Sequence, residues 1–573
     1  MKYIIFSIAC LSLAFNIISC QPSSNSSSAS EKPEPVNPTD SALVVSAHPL
    51  ASEVGAEILK SGGNAIDAAI AVQFALAVVY PGAGNIGGGG FMVIRQNDGS
   101  TDAIDYREKA PGKATRTMYQ DEEGEVIRGQ SRNGHLASGV PGSVAGMFKA
   151  HELYGSLPMQ DLLQPSIDLA ANGFPLTKRE ADKLNRYQQR FKDYNTVNPD
   201  FVLSEEGWEE GDTIYYKDLA KTLERIRDNG KAGFYEGKTA ELIAEEMERG
   251  GGIITPDDLK NYEAISREPI IAEYKNHKII SMPPPSSGGI ALAQLLHAVE
   301  NYKLAEMGHN TASTMHLMVE AERRVYADRA THLGDADYYD VPREQLIEKA
   351  YNQSRMTTFN PDQATPSEEV KAGTFEVAES RETTHFSIVD LAGNAVSVTT
   401  TLNGGFGSKV VVAGAGFFLN NEMDDFSIKP GFPNMFGLIG GEANAIEPGK
   451  RMLSSMTPTI VEKDSSLFMV VGTPGGSTII TSVYQTILNV IEHGMGMQEA
   501  VEAPRFHHQW KPDKVYLETG REYGDEVLEA LRNKGHELDS RGAIGRVDAI
   551  LVKADGILEG GADPRGDDTA VGF

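Results

Sequence analysis

The chain has 573 residues, of which 80 are acidic and 52 are basic, and its formal net charge is −28. Because this charge would repel a phosphate backbone, it argues against a nucleic-acid partner and suits a freely soluble protein. The apolar fraction of 40% is ordinary for a globular protein, and the length predicts two or more folding units.

The first 40 residues have the composition of a leader and a tether. Lys2 precedes an apolar run that ends at Ile18 and is too short to span a bilayer, so residues 1–19 are predicted to be a secretory signal peptide. The sequence at Cys20 resembles a bacterial lipoprotein box, which implies a lipidated N-terminus; a plain signal peptide is the alternative. Residues 20–40 are rich in Ser and Pro and predict a disordered tether. We therefore expect an exported, periplasmic or cell-envelope protein with a lipid anchor.

Cysteine usage limits the chemistry. Cys10 and Cys20 are the only cysteines in the sequence, and the first belongs to the signal peptide. No disulfide framework can form, and no cysteine can be the nucleophile. Covalent chemistry must therefore use a hydroxyl, an amine or a carboxylate.

The folded part begins at Ala42 with a short apolar strand. A helix with Pro49 in its first turn follows, and then an apolar helix over Asn64 to Val79 that should be buried. The glycines from Gly82 to Gly87 match the dinucleotide-binding pattern GxGxxG, but a helix precedes them and a strand follows, so no helix N-terminus would meet a phosphate. We expect these glycines to let backbones pass closely.

A hairpin with an Asn-Asp-Gly turn then ends at Arg107, in the sequence DYREKAP. An arginine at the end of a strand usually forms a surface ion pair, but its planar fork also suits a substrate carboxylate. Helical periodicity from Gly142 to Asn261 predicts a scaffold, two strands lie between Pro269 and Met282, and a long helix passes through Thr314 to Thr331.

A second hairpin is predicted over Thr383 to Thr401, after an exposed polar linker from about Pro361 to Glu382. Its strands alternate around a Gly393-Asn394 turn, so the returning strand should bring Thr401 close to Thr383. Taken alone, its threonines indicate only β-propensity.

Polar loops follow this hairpin. Asn403-Gly404-Gly405 and Gly414 to Gly416 are predicted to punctuate short strands, and acceptor side chains cluster from Asn420 to Asp425. The Gly- and Pro-rich segment from Lys429 to Lys450 has the composition of a mobile cover over a site, and equally that of a surface loop.

A strand then leads through Gly475-Gly476 into a helix. This junction points backbone N–H groups along a helix axis with a partly positive end, which suits an oxyanion, although a tight turn fits the spacing equally well. His507 and His508 are adjacent and have no HExxH context, so a structural role is favoured and no metal site is expected. The sequence lacks GxSxG, SxxK and Walker motifs, which weakens ordinary serine hydrolase and nucleotidase hypotheses.

Nine motifs together resemble the γ-glutamyltranspeptidases, a family of heterodimeric N-terminal nucleophile hydrolases, and they extend over nearly all of the chain after the tether. They are GGNAIDAAIA, GGGGFMVI, DYREKAP, TTHFSIVD, TLNGGFG, LNNEMDDFS, KRMLSSMTPTI, GTPGGSTII and APRFHHQW. The resemblance implies autocatalytic cleavage between Glu382 and Thr383. The products would be a large subunit of residues 41–382 and a small subunit of residues 383–573, joined in one α+β fold, a four-layer αββα sandwich.

The resemblance also implies roles for single residues. Thr383 is the expected nucleophile: cleavage would free its α-amine, with a pKa of about 8, to act as the base for its own hydroxyl. The other expected roles are those of Thr401 beside that hydroxyl, Gly475 and Gly476 in the oxyanion hole, Arg107, Ser454 and Ser455 at the substrate α-carboxylate, Asn403, Glu422 and Asp425 at its α-ammonium, and Phe436 as the gate of a lid loop over Pro430 to Gly441. Some relatives have glutamine in place of Glu422, and a tyrosine is usual in place of Phe436.

The expected function is that of a γ-glutamyltransferase and glutathione hydrolase. The γ-glutamyl group of glutathione and related compounds would form an ester on Thr383 and pass to water, an amino acid or a peptide, with no metal or cofactor. A cephalosporin or glutaryl acylase of the same fold is one alternative, which the predicted zwitterion-binding residues argue against. An uncleaved lipoprotein that binds such compounds without turnover is the other.

Overall fold

The computed structural model describes residues 39, 41–203, 207–373, 384–429, 431–435, 437 and 442–573. These residues belong to one compact unit, so the two or more folding units expected from the length are not found among them. The predicted positions Cys20, Glu382, Thr383 and Phe436 lie outside the described residues. Within those ranges, no helix has the length and apolar character needed to cross a bilayer.

The strands are β1 (Leu43–Ser46), β2 (Gly89–Arg95), β3 (Thr101–Asp105), β4 (Phe174–Pro175), β5 (Thr213–Ile214), β6 (Ile265–Arg267), β7 (Ile270–Tyr274), β8 (His277–Ser281), β9 (Thr384–Val389), β10 (Ala395–Thr401), β11 (Thr459–Lys463), β12 (Ser466–Gly472), β13 (Phe506–His507), β14 (Val515–Glu518), β15 (Leu538–Arg541), β16 (Asp548–Val552), β17 (Leu558–Ala562) and β18 (Thr569–Gly572).

The α-helices are α1 (Pro49–Lys60), α2 (Ala65–Val79), α3 (Ser143–Tyr154), α4 (Met159–Asn172), α5 (Lys178–Tyr194), α6 (Lys217–Asn229), α7 (Ala232–Tyr235), α8 (Gly237–Gly250), α9 (Pro256–Lys260), α10 (Gly288–Val299), α11 (Leu304–Met307), α12 (Ala312–His332), α13 (Arg343–Ile347), α14 (Lys349–Arg355), α15 (Thr478–Ile491), α16 (Met497–Glu502) and α17 (Asp525–Asn533). Short 3₁₀ turns cover His135–Ala137, Met356–Thr358, Glu422–Asp425 and Glu442–Asn444.

Two antiparallel sheets form the centre of the molecule. The seven-stranded sheet has the order β18-β1-β9-β10-β2-β3-β6, and the six-stranded sheet has the order β17-β16-β12-β11-β8-β7. Strand β1 lies between β9 and β18, so the first strand, the last strand and the predicted hairpin are neighbours. Smaller sheets are built from β13-β14-β15 and β4-β5.

Alternating side chains divide the fold into four layers. Between the two sheets, Leu43 and Val45 of β1 pack in one core cluster with Ile460 and Val470 of β11 and β12. Val44 points the other way and packs with helices α1 to α3, because successive side chains of a strand face opposite sides of a sheet. The outer face of the six-stranded sheet is covered by α10, α12 and α15. The expected αββα sandwich is therefore confirmed.

The two predicted N-terminal helices form, and local chemistry fixes the second. Asn64 caps α2 through a capping box in which its side chain accepts from the backbone N–H of Asp67 and the Asp67 side chain accepts from that of Asn64. The predicted close passage of backbones beyond α2 is also confirmed. A Cβ at Gly87 would lie 2.1 Å from the Phe418 carbonyl oxygen, and one at Gly88 would lie 1.9 Å from that of Thr401.

Turns, rather than the predicted short strands, follow β10. Asn403, Phe406 and Lys409 have φ angles of 68°, 60° and 69°, and such left-handed residues every few positions prevent an extended strand. An isolated bridge between Val411 and Phe418 is the strand-like pairing in this part of the described chain.

The predicted linker is exposed at most of its described positions and is anchored at two of them. Ser367 and Val370 are buried. The Trp510 Nε1–H donates to both of their carbonyl oxygens, at 2.9 and 3.0 Å. The prediction of an exposed segment is therefore confirmed for most residues from 361 to 373, while the buried Ser367 and Val370 attach the segment to the loop after β13.

Candidate active site

The predicted hairpin consists of β9 and β10, and its register is confirmed over the described residues. Ser387 pairs with Ser397 and Thr384 pairs with Thr400. At the turn, the Asp390 carboxylate accepts from the N–H of Asn394 at 2.9 Å. Thr383 lies outside the described residues and directly precedes Thr384 in the sequence. The hairpin therefore brings Thr401, the last residue of β10, to the end of the sheet at which β9 begins.

Thr401 is buried and joins several loops at this end. Its Oγ1 accepts from the Asn403 N–H at 2.7 Å, and its carbonyl oxygen accepts from Asn85 Nδ2 at 2.7 Å. A side-chain hydrogen bond also links Thr401 to Glu422. The hydroxyl is therefore held in place by neighbours from two separate loops.

A buried cluster of charged side chains adjoins Thr401. Arg107 is fully buried, contrary to the surface ion pair that an arginine at a strand end usually forms. Its Nη1 lies 2.7 Å from Glu422 Oε2, and its Nη2 donates to Asp425. The Glu108 carboxylate lies 3.4 Å from Nη1. We call Arg107, Glu108, Glu422 and Asp425 the carboxylate cluster.

One guanidinium thus faces three carboxyl groups. Burial, with the charge of Glu422, raises the pKa of Glu108 well above its usual range. Burial also raises the pKa of Glu422, although Arg107 and hydrogen bonds from Thr401 and Asp425 oppose that rise. The same acids raise the pKa of Arg107, which remains charged. The cluster therefore favours a state in which part of its acid is protonated.

Asn403 presents an acceptor next to this cluster. Its Nδ2 donates to the Asn421 carbonyl oxygen at 2.9 Å, which fixes the amide. Its Oδ1 is buried and has no hydrogen-bond partner among the described residues. A buried acceptor without a donor is unfavourable, so a ligand donor there would be stabilising.

Ser454 and Ser455 lie in the loop before β11, and both are buried. Arg107 donates from Nε to the Met452 carbonyl oxygen at 3.2 Å and from Nη2 to that of Leu453 at 3.3 Å, so its guanidinium lies against the backbone just before the two serines. The Ser455 hydroxyl accepts from Arg329 of α12. The sequence did not predict a role for Arg329, because nothing distinguishes it from the other charged residues of α12.

The Gly475-Gly476 junction has the predicted order of strand, glycines and helix. Strand β12 ends at Gly472 and α15 begins at Thr478. Gly475 and Gly476 have φ angles of 140° and 59°, which disfavour other residues. Their carbonyl oxygens accept from the N–H groups of Thr478 and Ile479. Within the described ranges, neither glycine N–H donates to a backbone carbonyl, so both remain available to a ligand oxygen.

His385 of β9 is a further buried polar residue that the sequence did not single out. Its Nδ1 lies 3.0 Å from Thr399 Oγ1, and its Nε2 lies 3.0 Å from Ser387 Oγ. Burial lowers the pKa of His385 to about 3, so the ring is neutral. In the sequence, its position two residues before Ser387, on the same face of the strand, was the signal that could have indicated this contact.

The adjacent histidines His507 and His508 have side-chain partners of their own. His507 contacts Thr481 and Gln509 at 2.9 and 3.0 Å, and His508 Nε2 lies 3.2 Å from Asp513. These contacts fit the favoured structural role. Across the described part of the chain, no three His, Cys, Asp or Glu side chains are grouped to hold a metal ion.

Comparison with known proteins agrees with this architecture. A cephalosporin acylase from Bacillus halodurans superposes with a TM-score of 0.83, at 26% identity, over 97% of this chain and 99% of that one. The Helicobacter pylori gamma-glutamyltranspeptidase matches with a TM-score of 0.58 and 46% identity over 59% of this chain and 97% of that one. The fold is that of the N-terminal nucleophile hydrolases.

The sequence comparisons narrow the class to one family. The model of the Gamma-glutamyltranspeptidase family matches residues 51–573. A protein of Escherichia coli K12 named glutathione hydrolase proenzyme is 47% identical over 534 residues, which is 93% of this chain and 92% of the relative. The chain belongs to the gamma-glutamyltranspeptidase family.

Proposed function

We propose that the protein is a γ-glutamyltransferase and glutathione hydrolase, made as a single precursor that cleaves itself between Glu382 and Thr383. The observation that carries the proposal is the carboxylate cluster. Arg107 is distant in the sequence from the 3₁₀ turn that carries Glu422 and Asp425, and the three side chains meet in a fully buried group beside Thr401.

The cluster suits a zwitterionic substrate because its charges mirror those of the substrate. A γ-glutamyl group carries an α-carboxylate and an α-ammonium on one carbon. In the free protein Arg107 is paired with Glu422 and Asp425. A substrate carboxylate could take the acids' place at Arg107, with Ser454 and Ser455 as further donors. Its ammonium could take the place of Arg107 at the acids. Each buried charge would then keep an opposite partner, which avoids the large penalty of an unpaired one.

Asn403 adds directionality to the ammonium end. Its free Oδ1 is an acceptor at the edge of the cluster, and an ammonium has three donors to distribute. We assign the ammonium to Asn403, Glu422 and Asp425. This division of donors and acceptors separates a γ-glutamyl substrate from a glutaryl one, which has no ammonium and would leave Asn403 and the acids unpaired.

The proposed reaction uses the amine that the cleavage creates. The α-amine of Thr383 takes the proton of its own hydroxyl, and the oxygen attacks the γ-carbonyl carbon. The C–N bond breaks, the proton passes to the leaving amine, and a γ-glutamyl ester on Thr383 remains. Water or an acceptor amine then attacks the ester carbonyl carbon, the bond to the Thr383 oxygen breaks, and the α-amine returns a proton to that oxygen. Thr401 would support the nucleophilic hydroxyl.

Charge that develops on the carbonyl oxygen needs preorganised donors. The N–H groups of Gly475 and Gly476 are assigned to it, since they precede the N-terminus of the 14-residue helix α15. Removing one donor of this kind typically costs about 3 kcal/mol of transition-state stabilisation.

Further features of the precursor are proposed on the sequence. The large subunit would comprise residues 41–382 and the small subunit residues 383–573. The E. coli relative is named a proenzyme, which supports processing of the precursor. We also propose export, a lipid anchor at Cys20, amino-acid or dipeptide acceptors, and a lid over the site with Phe436 as its gate.

The proposal is tested with anilides that differ only in the acyl group. The protein should release aniline from a γ-glutamyl anilide much faster than from a glutaryl anilide, which lacks the ammonium. Equal rates would favour the acylase of the same fold and contradict the assignment of Asn403, Glu422 and Asp425. No turnover of either anilide by a chain that stays intact would favour the binding lipoprotein.

A further inference from the structure

One face of helix α12 lies against the loop that carries Ser454 and Ser455. The Arg329 guanidinium is fully buried there and donates to two hydroxyls, from Nε to Ser287 Oγ at 2.8 Å and from Nη2 to Ser455 Oγ. Its Cζ lies 5.8 Å from the centre of the Tyr326 ring, which is one turn earlier on the same helix. Arg329 therefore joins two loops that are distant in the sequence.

Ser287 extends this contact to the backbone of the serine loop. It belongs to the sequence PPPSSGG before α10, none of whose residues is assigned to the substrate. Its hydroxyl and its backbone N–H both donate to the Ser454 carbonyl oxygen, at 2.6 and 2.7 Å. The Ser454 N–H in turn donates to the Pro285 carbonyl oxygen at 2.9 Å. The two loops therefore run side by side, with a parallel bridge between Ser286 and Ser454.

Each of the four residues from Met452 to Ser455 thus has a buried partner. Arg107 contacts the first two through their carbonyl oxygens, Ser287 the third through its carbonyl oxygen, and Arg329 the fourth through its hydroxyl. Two buried arginines therefore set the position of this short stretch, one at each end.

The chemistry of the guanidinium determines which way the two hydroxyls point. Arginine has five N–H donors and no acceptor, so a hydroxyl that accepts from it must direct its own proton elsewhere. Ser287 does so, since it accepts from Arg329 and donates to the Ser454 carbonyl oxygen. Ser455 is under the same constraint, and its O–H is directed away from Arg329. A hydroxyl held in this way is a donor already oriented for an anion.

The same face of α12 also contacts the proposed oxyanion hole. The Tyr326 hydroxyl donates to the carbonyl oxygen of Ser477, which directly follows Gly475-Gly476. Because Tyr326 and Arg329 lie one turn apart and the guanidinium contacts the ring, the helix keeps the serine donor at a set distance from the oxyanion donors. This distance matters because the α-carboxylate and the γ-carbonyl belong to one short substrate.

From these contacts, and resting on the proposed function, we infer that Arg329 is a positioning residue for substrate binding. It holds the Ser455 side chain in the rotamer, and its O–H in the direction, that binds the α-carboxylate of the γ-glutamyl group. In the proposed division of the chain, Arg329 belongs to the large subunit and Ser455 to the small one. The large subunit would therefore orient a substrate donor of the small subunit.

The size of the effect follows from the freedom that Ser455 gains when Arg329 is removed. A serine side chain has three staggered rotamers and its hydroxyl about three directions, so the guanidinium selects one of about nine arrangements. Apparent affinity falls with the fraction of molecules in the competent arrangement, so recognition of the carboxylate should weaken about tenfold.

The test measures kcat/KM for two anilides, a γ-glutamyl anilide and a 4-aminobutyryl anilide, which lacks only the α-carboxylate. The ratio of kcat/KM between the two should fall about tenfold in Arg329→Met. Arg329→Lys keeps the charge, but its single nitrogen cannot replace a fork between two hydroxyls, so it should restore the ratio only in part. Arg324→Met is the matched control. Arg324 is a buried arginine of the same helix that pairs with Glu320 at 2.7 Å, and its loss should keep the wild-type ratio.

A double-mutant cycle with Ser455→Ala separates positioning from a general structural effect. Ser455→Ala should itself lower the ratio about tenfold or more, because a hydrogen bond to a charged group is lost. Arg329→Met should lower the ratio no further in that background, because the hydroxyl on which Arg329 acts is gone. Equal fold-changes with and without the Ser455 hydroxyl would show that Arg329 acts elsewhere and would refute the inference.

The outcomes also separate this inference from the proposed function. If the wild-type protein turns over the γ-glutamyl anilide but folded Arg329→Met keeps the wild-type ratio, the positioning role is refuted and the proposed function stands. If Arg329→Met does not fold, Arg329→Lys decides, and a wild-type ratio in that variant refutes the role. If the wild-type protein turns over neither anilide, the proposed function itself fails. Because each comparison is a ratio between substrates for one protein, a general loss of activity in a variant does not affect it.

Discussion

Replacing Arg107 by methionine should weaken both the fold and the recognition of a substrate carboxylate. The guanidinium contacts Glu422 at 2.7 Å, pairs with Asp425 and donates to the Met452 and Leu453 carbonyl oxygens at 3.2 and 3.3 Å. Breaking a buried ion pair by removing one partner destabilises a protein by about 3–5 kcal/mol. Because the two carbonyl oxygens also lose their donor, we expect a loss near the upper end, about 5 kcal/mol.

The loss should depend on pH in a definite direction. The pKa values of Glu108 and Glu422 are already raised by burial, and removal of the cation raises them further. The native state of Arg107→Met then holds protons that the unfolded state releases, so its stability falls as the pH rises. Thermal unfolding of the variant and the wild type should therefore differ more at pH 8 than at pH 5.

Substrate recognition is measured with an anilide that lacks the α-carboxylate. Loss of charge-assisted bonds worth about 3 kcal/mol should lower kcat/KM for a γ-glutamyl anilide about a hundredfold. A 4-aminobutyryl anilide keeps the ammonium but has no carboxylate, so its kcat/KM should change little. Arg95→Met is the control. Arg95 forms a buried ion pair with Glu462 at 2.9 Å and lies at the end of β2 away from Thr401. Its replacement should lower stability without changing the ratio of kcat/KM between the two anilides.

Two results would exclude these roles of Arg107. If folded Arg107→Met retains the wild-type ratio between γ-glutamyl and 4-aminobutyryl anilides, Arg107 does not bind the carboxylate. If the stability difference between the variant and the wild type is the same at pH 5 and pH 8, Glu108 and Glu422 do not hold extra protons in the folded variant.

Three further substitutions test other parts of the account. Burial raises the pKa of Glu422, so the wild type loses stability as the pH rises. Glu422→Gln should therefore become more stable relative to the wild type from pH 4 to pH 8. A constant difference in unfolding free energy would contradict this expectation. Burial lowers the pKa of His385 to about 3. The free energy of unfolding of the wild type should therefore fall by about 2 kcal/mol between pH 8 and pH 5, and that of His385→Gln should not show this fall. If the free energies of unfolding of the two proteins change in parallel with pH, His385 is not responsible. Gly475 has a φ of 140°, and an alanine Cβ there would lie 2.5 Å from Thr478 Oγ1. Gly475→Ala should therefore displace the backbone N–H and lower kcat about tenfold or more. An unchanged kcat would argue against a role of this N–H in the oxyanion hole.

Features that depend on neighbours in the sequence were predictable. The β9-β10 hairpin follows from alternating side chains around a turn, and α2 follows from an apolar run after Asn64. The glycines before β2 were correctly separated from a dinucleotide site because the order of helix, glycines and strand was wrong for one.

Features that depend on long-range packing could not be predicted from the sequence. The pairing of Arg107 with Asp425 joins residues 318 apart in the sequence, and the bond between Arg329 and Ser455 joins residues 126 apart. Neither pair has a local signal. The same limit explains the linker, whose polar composition did not indicate that Ser367 would be buried. Family motifs pointed to single residues of the cluster, whereas the extra acid, Glu108, became apparent only from its contact with Arg107.

In the proposed mechanism, a backbone cleavage creates the catalytic amine. N-terminal sequencing of the smaller fragment of the purified protein determines where this cleavage occurs. We expect two fragments, the smaller beginning with Thr383, and we expect Thr383→Ala to remain one chain without activity. A smaller fragment with a different first residue, or an active wild-type protein that stays uncleaved, would contradict the account.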